Sequence, residues 1–156
     1  MRRAILIAAA VVGLSCGNTS PDDPALLRVV RVIDGDTIWV QGSGAVEKIR
    51  LLGIDAPEMN YGKGRPECGA VAATRALRLR LDGKRVALER HGRDDYGRTL
   101  AIVIDPASAK DPNLNAWLLR EGHAEIFRKS RHPDREKFAA LQREAKSRRL
   151  GMWNCR

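Results

Sequence analysis

From Leu26 to Ile104 the chain reads as short apolar runs and alternating stretches bounded by turns, with helical spacing between and after them. Leu26 to Ile33 and Thr37 to Gln41 are rich in β-branched and other apolar residues, which predicts two strands. Gln41-Gly42-Ser43-Gly44 is a turn, and Val46 to Leu52 reads as a third strand. Arg85 to Arg90 alternates, with Val86 and Leu88 on one face and charges on the other. Thr99 to Ile104 is a short apolar strand ended by Asp105-Pro106. Cys68, Ala72, Ala76 and Leu79 recur at spacings of three and four, predicting a helix with Arg75, Arg78 and Arg80 mostly outward. Leu114, Trp117 and Leu118 mark a second helix, stopped near Gly122. Asp134 is a candidate N-cap for a third, with Phe138, Leu141 and Ala145 inward, running out at Leu150-Gly151. Three strands, a helix, two strands and two helices predict an α+β domain around a small antiparallel barrel of five strands. Glu58 to Pro66, with Gly, Pro and basic residues, reads as a mobile loop.

The first residues change the picture of where the domain works. Met1-Arg2-Arg3 is a basic start, and Ala4 to Leu14 carries no charge. That run is too short for a permanent membrane span but suits the apolar core of a signal peptide. Gly13-Leu14-Ser15-Cys16 resembles a bacterial lipoprotein signal, in which a small residue precedes a Cys that is lipidated. A polar, Pro-containing tether follows. The expected division is a signal peptide over 1–15, a flexible tether over 16–25 and a folded domain over 26–156. The expected product is a lipid-anchored protein of the bacterial envelope; ordinary cleavage to a secreted or periplasmic protein is the alternative. Setting Cys16 aside leaves Cys68 and Cys155, an even pair in an oxidising compartment. A bridge between them would stabilise by about 4 kcal/mol in the chain-entropy model. The alternative is two free buried thiols.

Composition adds less. Hydrophobic residues make up 44% of the chain, enough to exclude a disordered protein. The net charge of +9 favours a polyanionic partner, whether nucleic acid, an acidic surface or anionic lipid. The run from Arg128 to Arg149 holds nine Lys or Arg against three Asp or Glu. It reads either as a solvated helix face or as an attractor for a nucleic-acid backbone.

Three segments could carry chemistry. Val32-Ile33-Asp34-Gly35-Asp36-Thr37 puts an Asp-Gly turn signal between two strands, but a turn does not require the second acid. Of the two acids only Asp36 is expected to look directly into a site. Ile49-Arg50-Leu51-Leu52-Gly53-Ile54-Asp55-Ala56-Pro57-Glu58 places an arginine inside an apolar strand, where a guanidinium needs an anion. That anion could be Asp55 or Glu58, or a ligand. Pro57 biases Ala56 toward an extended conformation, so the Asp55 side chain, the Ala56 carbonyl and Glu58 can converge as oxygens. In Arg93-Asp94-Asp95-Tyr96-Gly97-Arg98-Thr99-Leu100, Gly97 permits a tight turn that presents Arg98 at the start of a strand. His91, His123 and His132 have no ligand-like spacing and read as surface or loop residues; Trp39, Trp117 and Trp153 read as packing residues.

In type, order and spacing these segments resemble the staphylococcal nuclease (thermonuclease) family. That family has an acidic-Gly-acidic-Thr turn, then Arg-Leu-x-x-x-Asp-x-Pro-Glu, then Tyr-Gly-Arg, and the resemblance runs from about Leu27 to Trp153. It implies a five-stranded OB-fold barrel with three α-helices, and hydrolysis of phosphodiester bonds in DNA and RNA. Carried over, it implies that Asp36, Asp55, the Ala56 carbonyl and Glu58 bind Ca²⁺, with Asp34 and Thr37 supporting them from behind, Asp34 through water. It further implies that Glu58 holds or deprotonates the attacking water, and that Arg50 and Arg98 grip the scissile phosphate, joined by Tyr96. A cation and an arginine nearby should hold the Glu58 carboxyl below its ordinary pKa. No protein partner is inferred, and the chain is expected to act as a monomer. A catalytically inactive OB-fold module binding nucleic acid or protein is the alternative. Two positions depart from the family's pattern: Asp95 stands where a Lys is frequent, and no Tyr lies near Arg128.

Overall fold

The computed structural model describes residues 25–62, 64–130, 132 and 134–155. The expected signal peptide, the expected lipidation site at Cys16 and nearly all of the expected tether lie outside the described residues. β1 (Leu27–Val32), β2 (Thr37–Gln41) and β3 (Val46–Leu51) form a meander, followed at once by the two-residue β4 (Ile54–Asp55). The chain then forms α1 (Ala70–Leu81), β5 (Arg85–Arg93), β6 (Thr99–Ile104), α2 (Leu114–Arg120), β7 (Glu125–Ile126) and α3 (Arg135–Ser147). A short 3₁₀ turn, Gly151–Asn154, ends it.

Five strands close into a barrel in the order β1-β2-β3-β6-β5, and β4 pairs separately with β7. The barrel is mixed, not antiparallel throughout. β3 and β6 run parallel, with Arg50 opposite Leu100. The physical reason is the connection between them: α1 and β5 supply the long crossover that a parallel pair needs, whereas a hairpin would have forced antiparallel pairing. The inward strand positions Ile38, Val40, Ile49, Leu51, Val86 and Val103 meet Leu77, Leu81, Leu114, Leu118 and Phe138 from the helices, and all are buried.

α1 buries a different stripe from the expected one. Ala70, Ala73, Thr74, Leu77 and Leu81 face the barrel, while Leu79 is 73% exposed. Both stripes obey helical spacing, and the buried one is chosen because Leu77 and Leu81 reach the core together. Arg80 also departs from expectation. It turns in, donates to Ser108 Oγ at 2.9 Å and to the Asp111 carbonyl, and stacks over Trp117. α2 starts on Asn113, whose side chain accepts from the Ala116 amide at 2.9 Å. Asp134 holds the N-cap position of α3 without a side-chain cap bond.

Cys68 and Cys155 are bridged, with Cα atoms 6.3 Å apart, so the chain entering α1 is stapled to the C-terminal turn. Two of the histidines are packing residues, contrary to the surface reading. His123 lies 5.9 Å from the Trp117 ring, and His132 lies 4.5 Å from Phe138. Neither ring has the room at the surface that exposed loop residues have: both His132 nitrogens and His123 Nδ1 are buried without a hydrogen-bond partner among the described residues.

Candidate active site

The site begins with the turn between β1 and β2. The Ile33 amide donates to the Thr37 carbonyl at 2.9 Å and closes it. Gly35 is required there by contact: a Cβ at that position would lie 2.6 Å from the Ala56 Cβ and 3.0 Å from the Ala73 Cβ. With no side chain at 35, the acidic turn lies directly against the segment carrying Asp55 and Ala56.

Asp36 is 6% exposed and fully engaged. Its Oδ2 accepts from the Ala56 amide at 2.7 Å and lies 3.1 Å from Arg50 Nη2. Its Oδ1 accepts from Thr37 Oγ1 at 3.1 Å. Asp34 does not face away. Positions two apart in a strand share a face, and residues 33–36 form a turn rather than a strand. Asp34 Oδ1 accepts from the Asp36 amide at 3.1 Å, and Asp34 lines the same cleft as Asp36.

Arg50 projects from β3, opposite Thr37 on β2. Its Nη1 donates to the carbonyls of Leu51 (3.1 Å) and Ile54 (2.8 Å), and its Nη2 to Asp55 Oδ1 (2.7 Å). The internal ion pair that the sequence allows is therefore present, and it involves two acids, Asp36 and Asp55, rather than Glu58. Burial still dominates for Asp36. It pushes the carboxyl up to about 7, against the pull of Arg50 and with added repulsion from Asp34 and Asp55. Burial also raises Asp55, and Glu125 and Glu67 add to it against Arg50.

These groups open into a cleft of about 620 Å³, which Glu58, Tyr96, Arg98 and Phe127 also line. Gly97, at φ 77°, makes the tight turn between β5 and β6. Asp94 governs that turn. Its Oδ1 accepts from the amides of Tyr96 and Arg98, and its Oδ2 accepts from Arg98 Nε at 2.6 Å. Tyr96 is 85% exposed, with the Arg98 guanidinium 5.4 Å from its ring centre. For Glu58 the sequence expectation concerns the cation-bound site. Among the chain's own groups, partial burial and then the charges of Asp34 and Asp55 raise its carboxyl above the ordinary value.

Three participants are not singled out by the sequence. Asp94 reads there as part of a solvated loop, although a carboxylate four residues before Arg98 is an available signal. Glu67 accepts from the Glu58 amide at 2.9 Å. Phe127 is the aromatic residue in the cleft beside Arg128, at the place where the family's pattern has a Tyr.

Among the described residues no three His, Cys, Asp or Glu side chains converge tightly enough to hold a metal ion. The donors nonetheless suit a hard cation in their chemistry. They are carboxylates, one of them buried among like charges with Arg50 as its counter-ion, and oxygen ligands of that kind favour Ca²⁺ or Mg²⁺ over softer metals.

Comparison with known proteins matches residues 48–155 to the family described as staphylococcal nuclease homologue. The chain belongs to the staphylococcal nuclease family. Similar proteins include a thermonuclease of Staphylococcus intermedius, 37% identical over 131 residues, covering 80% of this chain and 74% of the relative. A micrococcal nuclease of Shigella flexneri is 33% identical over 133 residues, 81% of this chain and 72% of its own. An uncharacterized endonuclease of Escherichia coli O157:H7 is 35% identical over 127 residues, 81% and 76% of the two chains. The family match contains Arg50, Asp55, Glu58 and Arg98. Asp34 and Asp36 stand before it, and the fold brings them to Arg50 and Ala56.

Proposed function

We propose that this staphylococcal nuclease family member is a Ca²⁺-dependent phosphodiesterase acting on DNA and RNA. The observation that carries the reading is one cleft holding Asp34, Asp36, Asp55 and Glu58 together with Arg50 and Arg98. Asp36, Asp55, the Ala56 carbonyl and Glu58 would hold the cation, with Asp34 acting through water and Thr37 fixing Asp36. When bound, a divalent cation offsets phosphate charge and helps place a water.

The remaining work falls to the chain's own residues. Arg50 and Arg98 line the same cleft and would both reach the phosphate, and two planar guanidinium forks suit the charge gathered on its oxygens in the transition state. Lys would lack that fork. Tyr96 adds a contact to the phosphate. Glu58 takes the proton of the attacking water at a carboxylate oxygen, or orients that water by accepting its hydrogen bond.

The purified protein should degrade plasmid DNA and RNA with millimolar Ca²⁺ and stop when chelator is added. Cleavage that is absent, or unmoved by chelator, would sink this reading; retained binding without cleavage would point to an inactive binding module. The N-terminal residues support export and lipid anchoring at Cys16 in the bacterial envelope. Cys16→Ser should then release the protein from membranes, and wild-type protein already in the soluble fraction would contradict the anchor.

A further inference from the structure

The loop after the Asp-Ala-Pro-Glu segment leaves the barrel at Glu58 and returns at Glu67, and those two residues grip each other. The Glu58 amide donates to Glu67 Oε2 at 2.9 Å, and the Glu67 amide donates back to the Glu58 carbonyl at 2.9 Å. The loop between them is tied inward as well. Tyr61 Oη donates to the Ile33 carbonyl at 2.8 Å, next to the acidic turn, and Asn60 Nδ2 donates to the Arg65 carbonyl. The residue after Glu67 is Cys68, bridged to Cys155. Gly69 then packs so closely on Met152 that a Cβ would lie 2.9 Å from its side chain.

Glu58 is exposed and sits in no strand or helix. Among the described residues, no hydrogen bond aims its side chain, so its backbone must. A glutamate is an odd choice for that brace on electrostatic grounds. Glu67 adds like charge to both Glu58 and Asp55. A residue that repels its neighbours yet closes the loop with its carboxylate is better explained by the geometry it fixes than by the charge it brings. The disulfide holds this residue from the other side, since it fixes Cys68 against the C-terminal turn.

We propose that Glu67 is a positioning residue for Glu58, and that the Cys68–Cys155 bridge keeps the Glu58–Glu67 clamp closed. The idea rests on the reading of Glu58 as the group that handles the attacking water. A nuclease built this way is fully active only where the bridge is oxidised. A dithiol reductant would cleave the S–S bond to two thiols, itself becoming the disulfide, and the clamp would loosen with no cleft residue chemically altered.

The test combines turnover on a single-stranded DNA oligonucleotide with hydrogen exchange at the Glu58 amide. Glu67→Ala should lower kcat on the order of 10-fold or more, since small misplacement of a reacting group is costly, with KM changed less than about twofold. Glu67→Gln keeps an acceptor oxygen and should restore kcat to within about threefold, as expected if the hydrogen bond and not the charge matters. In a Glu58→Ala background, Glu67→Ala should cost nothing further. The Glu58 amide should exchange slowly in wild type and faster in Glu67→Ala, in Cys68→Ala/Cys155→Ala and after reduction. Wild-type kcat and exchange in Glu67→Ala would overturn the proposal, as would an equal loss in the Glu58→Ala background. If Glu67→Ala does not fold, the double Cys variant decides by the same two readouts. If Glu58→Ala alone keeps full turnover, the assignment of Glu58 fails instead, and the exchange data still report whether the clamp exists.

Discussion

Arg50 and Arg98 enter the cleft from two different kinds of structure. Arg50 stands near the end of a barrel strand, with a side chain 12% exposed, and binds two carbonyls and two carboxylates. Arg98 follows a hairpin turn, is 25% exposed at its side chain, and is aimed by the single carboxylate of Asp94. Charge on the strand side is therefore part of the fold, while charge on the loop side is attached to it. Changes on the strand side should disturb folding and function together. Changes on the loop side should separate them.

The largest effect is expected at Arg50. Above about pH 8, where a carboxyl raised to about 7 is ionised, Arg50→Met removes the counter-ion of a buried Asp36, and breaking a buried pair from one side typically costs about 3–5 kcal/mol. Chemical denaturation should show a loss of that order, with turnover down by at least about 10²-fold. Normal stability would mean that Asp36 is not held ionised by Arg50, and the contrast between the two sides would collapse.

Arg98→Ala should give the opposite balance. Turnover on an oligonucleotide should fall by about 10²–10³, while stability falls by much less than in Arg50→Met, because one partly buried pair with a single carboxylate is lost. A large stability loss would show that the hairpin turn is as integral to the fold as the strand. Asp94→Ala sharpens the point. Burial works against ionisation of Asp94, but the hydrogen bonds and charge of Arg98 hold its carboxyl below the ordinary value. Removing it leaves Arg98 in place but unaimed, so kcat should fall on the order of tenfold. Arg98→Ala and Asp94→Ala together should be no worse than Arg98→Ala alone.

The same division governs how much can be read from the sequence. Strand positions are legible because β-branched and apolar residues mark them, and Arg50 stands out as a charge inside such a strand. The parallel β3–β6 pairing is not legible, because periodicity gives strands but not the direction of their neighbours. α1 misleads because two stripes at helical spacing compete, and only the barrel decides between Leu77 and Leu79. Asp34 and Asp36 are visible as a pair, but their sharing of one cleft depends on Gly35 lying against Ala56, a tertiary contact. Asp94 and Glu67 escape notice because each acts through a backbone amide or a neighbouring side chain, and loop sequence gives no register for such contacts.

The smallest effect tests the support behind the strand side. His132 packs against Gly53, between the strands that carry Arg50 and Asp55; a Cβ on Gly53 would lie 2.5 Å from His132 Nε2. Burial lowers the His132 pKa, Asp134 works against that, and Arg135 and His91 lower it further. The folded chain thus binds the proton less readily than the unfolded chain, whose histidine titrates near about 6.5. As pH falls below that value, the unfolded state gains protons that the folded state refuses, and stability drops; above it, both states are neutral and the contribution is complete. His132→Phe has no proton to take up. The stability difference between wild type and His132→Phe should be constant above about pH 7 and should move in favour of the variant as pH falls from about 7 to 5. Its slope should stay well under the ceiling of about 1.4 kcal/mol per pH unit for one proton, because the ring is only partly buried. Thermal unfolding of both proteins across that range reads it directly. A difference independent of pH would mean that His132 can be protonated where it sits, and that the ring behind Gly53 is free to reach water.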